Sequence, residues 1–367
     1  MLAPSPDHVA ARERMRQVER QVLEIAERVN LLFVTNLRRT TEILDRGEGG
    51  VVNAAQYYTR QQADSVIYEF QKLGLTVDSY FSEKEFFAAV LAGKVDDSRQ
   101  KVVFTTAEGG TGSGRRALVP AFCNLVGLPV LNSGAHACSI ARHKFHASSV
   151  LRRAGVRVPG IWQFSRGRWI GDAAPPTGAR VIVKPTYESM SIGVGADSVR
   201  VVDAEFSAFV GAKERDLGQP VVVQEFITGE EVGVPMVRIE RTHSLPPVAF
   251  RRGDGQPFGR LPRTFEDENV TGDTSYAEYE TSSPEAAALA DAAVCAFDSL
   301  EMAGVGRIDF RVDPDGRPWV IDTNESPPPL ADSSYASAMR ALGFSLSEML
   351  AVWVGVCLYE AGVISGV

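Results

Sequence analysis

The chemistry-bearing residues of this sequence are densest in GRIDFRVDPDGRPWVIDTNESPP, residues 306–328. Asp313-Pro314-Asp315-Gly316 is a turn between two runs that alternate with period two. Arg307, Asp309 and Arg311 share one face of the first run, and Val320, Asp322 and Asn324 share one face of the second. Folding back about the turn brings Asp309 toward Asp322. Two carboxylates and an amide oxygen on a sheet face can be a solvated face or a set of hard oxygen ligands. The intervening residues are large and apolar (Ile308, Phe310, Trp319, Ile321) and Pro327-Pro328-Pro329 stiffens the exit, which favours ligands. Such oxygens beside an arginine suit Mg2+ carrying a nucleotide polyphosphate.

Two further segments could serve the same ligand. In VKPTYESMSIGVG (183–195), a lysine ending an apolar strand precedes a Ser/Gly-rich turn, offering a point charge and a lid of N–H donors to phosphate. Alone, Lys184 reads as a strand-end surface lysine. In VVVQEFITGEE (221–231), an apolar strand runs into acidic residues. Backbone at Glu225 to Ile227 could pair with adenine, and Glu231 could accept from ribose hydroxyls. EGGTGSGRR (108–116) holds glycines that would let N–H groups approach an anion, but it lacks the Gly-Lys-Ser/Thr ending of a Walker A loop and reads as a flexible turn. His136, His143 and His146 recur at helical spacing beside Cys138, yet no carboxylate or cysteine pair completes a zinc set.

These residues need a scaffold of alternating strands and helices. Strands are expected at 31–35, 75–81, 101–106 and 128–131, with helices at 57–73 and 83–91, which is α/β with a parallel sheet. A long polar insertion, 36–53, interrupts the first strand-to-helix connection. A helical pattern over 136–153 carries Lys144 and leads through VRVP to a Pro/Gly-rich surface stretch at 171–178. Strands at 180–185, 221–227 and 230–237 and a helix from Ser283 to about Met302 deliver the chain to the hairpin. Residues 6–28 read as a helix with Ser5 as cap, Pro6 in the first turn and Met15, Val18, Val22 and Ile25 as an apolar stripe. That stripe has two outlets, its own domain or a second copy of the chain, so a homodimer stays open.

With 367 residues, 38 Lys+Arg against 46 Asp+Glu and 44% apolar residues, the chain has room for two or three domains. The acidic balance argues against nucleic acid or an anionic membrane surface as partner. Cys123, Cys138, Cys295 and Cys357 fit a reducing compartment, the N-terminus lacks a signal-peptide core, and Glu348 and Glu360 interrupt the apolar C-terminal stretch, so a cytoplasmic protein with a buried closing helix is expected.

In this order, the lysine, Gly-rich loop, acidic strand and R-I-D…D-x-N set resembles the ATP-grasp superfamily, specifically its D-alanine:D-alanine ligase branch, over roughly residues 102–360. The resemblance implies an α/β and α+β ATP-grasp fold: an N-terminal helix (1–30), an N-terminal α/β domain (31–134), and central (135–220) and C-terminal (221–367) subdomains clasping ATP. It implies that Lys144 and Lys184 hold phosphates with Ser191 in the loop over them, that Gln224, Glu225, Phe226 and Ile227 form the adenine strand, and that Glu231 meets the ribose. Asp309, Asp322 and Asn324 would hold two Mg2+ ions, with Mn2+ able to substitute, and Arg307 would stabilise the developing oxyanion. Substrate contacts fall to Glu108, Ser333 and Ser334, the two serines lying where the family binds the second substrate's carboxylate.

The implied reaction joins a small carboxylic acid to an amine through an acyl phosphate, releasing ADP and phosphate. Several departures bear on the substrates. Asp322 replaces the usual metal-binding glutamate, with Glu325 nearby. Pro328 stands in place of a glycine and offers no N–H. Met190 stands where the family has a serine, and the N-terminal segment bearing the family's amino-group glutamate is missing. These favour an amide- or peptide-forming ligase of specialised metabolism, acting on amino acids, over a housekeeping D-alanine:D-alanine ligase. An ATP-grasp kinase and a nucleotide-binding scaffold without turnover are the alternatives.

Overall fold

In the computed structural model, which describes residues 6–38, 46–47, 50–51, 53–96, 98–110, 112–172, 174–279 and 283–365, three main sheets follow one another along the chain. Most of the insertion at 36–53, and the cap at Ser5, lie outside the described residues. After α1 (Pro6–Ile25), strand β1 (Val29–Val34) sits between β2 (Thr76–Tyr80) and β3 (Gln100–Thr105), both parallel to it. The crossovers are α2 (Arg60–Lys72), started by a capping box of Thr59 and Gln62, and α3 (Glu83–Leu91), capped by Ser82. The strand expected at 128–131 is a single bridge between Val103 and Val130.

After α4 (Leu118–Val126), the helical pattern over 136–153 splits into α5 (Ala135–Arg142) and α6 (Lys144–Arg153). His143 takes an extended conformation (φ −89°, ψ 90°) and its side chain accepts from His146 N, so Lys144 opens a new helix. The second sheet is antiparallel. It comprises β4 (Ile161–Ser165), β5 (Arg168–Trp169), β6 (Arg180–Pro185), β7 (Val199–Val201) and, after α7 (Phe206–Leu217), β8 (Val221–Glu225), in the order β5-β4-β8-β6-β7. Residues 161–165, not anticipated as a strand, pair with β8.

The chain changes sheet between Glu225 and Glu230, slightly later than the border expected at 220. Gly229 makes the passage possible: at φ +155°, a Cβ there would lie 1.9 Å from the Val312 carbonyl oxygen. The third sheet holds β9 (Glu230–Ile239), β10 (Arg241–Ser244), β11 (Val248–Arg252), β12 (Thr274–Glu278), β13 (Val305–Val312) and β14 (Pro318–Asn324), with β12-β11-β9-β13-β14 as its path and β10 paired to β9. Between β11 and β12 stands α8 (Phe265–Asn269), and α9 (Ser283–Ser299) precedes the β13–β14 hairpin.

The final helices, α10 (Ser334–Ala341) and α11 (Leu346–Glu360), return to the first sheet, where Trp353 lies 6.5 Å from Phe104. Met15, Val18 and Val22 of α1 are fully buried in the same cluster as α11, and Gly355 admits the close approach, since a Cβ there would sit 2.9 Å from Val18 Cβ. The apolar stripe of α1 is therefore covered within the chain. No single described helix is long and apolar enough to cross a membrane.

Candidate active site

The three sheets surround a cavity of about 470 Å3. Its lining includes Glu108, Lys144, Lys184, Ser191, Gln224 to Ile227, Glu231, Arg307, Asp309, Asp322, Asn324, Ser333 and Ser334, so residues spread over more than 200 positions of sequence meet in one space.

The hairpin supplies the acidic floor. Asp309 faces Asp322 and Arg307 faces Asn324 across the β13–β14 ladder. The register shifts between Asp309 and Phe310, so Phe310 pairs with Val320 and Ile321 is the extra residue. This bulge corrects the face assigned to Val320: it joins Phe310 in the core, while Ile321 lines the cavity. Arg307 Nε and Nη2 donate to the two Asp309 oxygens (2.6 and 2.9 Å), and its Nη1 donates to Ser334 Oγ (3.0 Å). Ser333 Oγ accepts from Ala336 N and caps α10.

Two lysines reach the floor from different elements. Lys144 Nζ bonds Asp322 Oδ1 (3.2 Å) and the Glu188 carbonyl (2.7 Å). Lys184, on the second sheet, donates to the Ile321 carbonyl (3.2 Å), an acceptor the bulge turns toward it. Burial pushes Lys184 down to about 8, with nearby Asp322 opposing the shift. Burial likewise raises Asp322, but Lys144 and Lys184 outweigh it and hold the carboxyl below its usual range. A buried cation with one main-chain acceptor is suited to taking a phosphate oxygen.

The lid over this floor is residues 186–195. Met190 and Ser191 both lie in the left-handed region (φ 54° and 53°), a conformation costing about 1–3 kcal/mol per residue. Residues around α8 hold it: Ser191 Oγ donates to Glu268 (2.7 Å), Asn269 Nδ2 to the Met190 carbonyl (2.7 Å) and Phe265 N to the Val194 carbonyl (2.9 Å). On the strand expected to meet adenine, the N–H groups of Glu225 and Phe226 already bond Gly160 and Arg180 carbonyls, so they are not open to a base. Glu231 is buried with both oxygens engaged, by Arg263 Nε (2.9 Å) and Arg311 Nη2 (3.3 Å). Each oxygen keeps a second lone pair with which it could accept from a ribose hydroxyl.

The end nearest the first sheet is a web of ion pairs that sequence patterning missed. Glu108 meets Arg142 and Arg115; Glu188 meets Arg115 (2.9 Å), Gln219 (2.7 Å) and Gln56 (2.8 Å); Glu325 meets Arg116 (3.0 Å). Glu325 is thus committed elsewhere than to the hairpin carboxylates. Only Arg115 and Arg116, adjacent to the Gly-rich turn, gave any sequence signal. His143 and His146 stack at 3.6 Å while Cys138 bonds the Ser133 carbonyl, and no group of three or more His, Cys, Asp or Glu among the described residues could hold a metal alone. Asp309, Asp322 and Asn324 do fit a cation that arrives with phosphate oxygens, because Mg2+ is commonly held by one or two carboxylates plus the nucleotide.

The chain matches the family model described as the D-ala D-ala ligase C-terminus over residues 152–354. It is 28% identical to a D-alanine–D-alanine ligase of Bordetella petrii over 226 residues, 61% of this chain and 67% of that one. Its fold is shared with D-alanine–D-alanine ligase of Bacillus anthracis complexed with ATP (TM-score 0.67, 16% identity, 91% of this chain and 98% of that one). The VanG D-Ala:D-Ser ligase of Enterococcus faecalis is similar too (TM-score 0.65, 19% identity, 89% and 99%). The architecture is therefore the ATP-grasp fold that the motifs implied.

Proposed function

From the premise that the chain belongs to the D-alanine–D-alanine ligase C-terminal family, and is an ATP-grasp carbon–nitrogen ligase, we propose that it joins a carboxylic acid other than D-alanine to an amine in specialised metabolism. The observation that carries the ligase reading is the convergence of Lys144 and Lys184 on Asp322, opposite the Arg307–Asp309 pair, within one cavity.

A carboxylate is a poor electrophile and must first be activated. Its oxygen attacks the γ-phosphorus of ATP, ADP leaves, and an acyl phosphate forms. Lys144 and Lys184 offset charge on the transferring phosphoryl group, and the 186–195 loop excludes water above it. Mg2+ held by Asp309, Asp322 and Asn324 would neutralise polyphosphate charge. The amine then adds to the acyl carbon, Arg307 stabilises the oxyanion, phosphate departs and the amine proton is lost. Ser333 and Ser334, at the start of α10, are placed to accept the carboxylate of an amino acid serving as the amine.

The departure from D-alanine is supported by Met190 in the lid, by Pro328 on the cavity wall and by Glu108, whose carboxylate is neutralised by arginines instead of free for an ammonium. The test is release of ADP and phosphate by the purified protein with ATP and Mg2+ across pairs of amino acids, with mass analysis. Release requiring both an acid and an amine, with an amide product, is expected. A stable phosphorylated product would mark a kinase, and D-alanyl-D-alanine as the preferred product would remove the substrate proposal.

A further inference from the structure

Arg38 differs from the other arginines lining the cavity, each of which meets a carboxylate. Its backbone N–H donates to the Tyr58 carbonyl (2.9 Å), which ties the chain after β1 to the cavity wall. Nε and Nη1 of its side chain are shielded from solvent and have no hydrogen-bond partner among the described residues. Burial lowers its pKa, and no carboxylate among the described residues opposes the shift. A guanidinium nevertheless stays charged, and shielded donors left unmade are costly.

The carboxylates at this end are already used. Glu108 serves Arg142 and Arg115, Glu188 serves Arg115, and Glu325 serves Arg116. Turning any of them to Arg38 would strip another buried arginine. ATP is not the missing partner either, because its phosphates fall to Lys144 and Lys184 above the hairpin, whereas Arg38 lines the wall contributed by the first sheet's connections, with Tyr57, Tyr58 and Thr106. Of the three guanidinium nitrogens of this lining residue, Nη2 is the one outside that shielded, unpartnered state.

We propose that Arg38 is the receptor for a carboxylate that does not react, carried by the acid substrate. The enzyme accordingly takes a substrate with an anionic group besides the carboxylate being activated. The naming of the ligand as a substrate rests on the ligase reading; the anion receptor itself does not.

Binding is tested first, without turnover, by thermal shift in the presence of Mg2+ and the non-hydrolysable analogue AMP-PNP. Succinate and glutarate are compared with succinamate and propionate, and alanine with alaninamide. The wild-type protein should respond to the member of a pair bearing the extra carboxylate. Arg38→Gln should weaken that response about tenfold or more while the AMP-PNP shift is kept, and Arg38→Lys should restore part of it. An Arg38-dependent response to the dicarboxylates is the expected result, and a response confined to alanine, whose carboxylate falls to Ser333 and Ser334, overturns the proposal. A wild-type protein that fails to distinguish carboxylate from amide in either set, or an Arg38→Gln variant that responds like wild type, overturns the proposal. ADP release with acid and amine is read separately. Its absence beside an Arg38-dependent shift counts against the ligase reading alone.

Discussion

The two ends of the cavity use charge in opposite ways. At the end built on the β13–β14 hairpin, where ATP is proposed to bind, the lysines come from α6 and the second sheet and meet partners a ligand can replace: Lys184 holds a carbonyl, and Asp322 holds Lys144. At the end nearest the first sheet, charges from four separate segments neutralise one another and hold those segments together. Ion pairs of the first kind are available for chemistry, whereas those of the second are structural, and breaking one leaves an uncompensated buried charge.

That contrast can be broken most directly at Glu108. Glu108→Gln should lower stability by about 3–5 kcal/mol, because Arg142 loses its paired carboxylate; denaturant unfolding measures it, and a wild-type midpoint would show that the web is not structural. Arg307→Ala should raise the barrier to amide formation by about 2.7–4 kcal/mol, the usual cost of a lost oxyanion donor. Product formation in single turnovers reads this, and wild-type turnover would sink the role given to Arg307. A third, smaller effect concerns pH. The cationic form of Lys184 attracts phosphate, and its population falls as pH rises through about 8. Affinity for AMP-PNP should therefore drop about tenfold between pH 8 and pH 9.5, and Lys184→Arg, whose charge persists, should flatten the profile. Smallest is Gln56→Ala, which unlinks the lid residues Glu188 and Ser189 from the first sheet's side. About 1 kcal/mol of stability should go with it, visible as a Tm decrease with the AMP-PNP shift retained.

The nucleotide end was legible in the sequence because its signals are local. Period-two alternation and a Pro-Asp-Gly turn announce the hairpin that carries Asp309 and Asp322, although the bulge is what sets the two opposite each other, and the strand-end position of Lys184 follows from the apolar run before it. The bulge at Ile321 was not legible, since nothing in the alternation announces an extra residue. The break at His143 escaped for a similar reason: helical spacing continues through it, and only a capping side chain interrupts the backbone. The ion-pair web was invisible because Glu108, Glu188 and Glu325 carry no local sign of their partners.

By itself, then, the sequence determined the alternating α/β order and the hairpin with its two carboxylates through short-range periodicity and turn chemistry, and pointed to the lysines through a resemblance to a known family. Tertiary structure alone decided which charges remain available. It buried α1 against α11, turned the Ile321 carbonyl toward Lys184, neutralised Glu108 and left two guanidinium nitrogens of Arg38 without a hydrogen-bond partner among the described residues. Those outcomes depend on desolvation and on contacts between segments distant in the chain, and neither has a period that a linear pattern can carry.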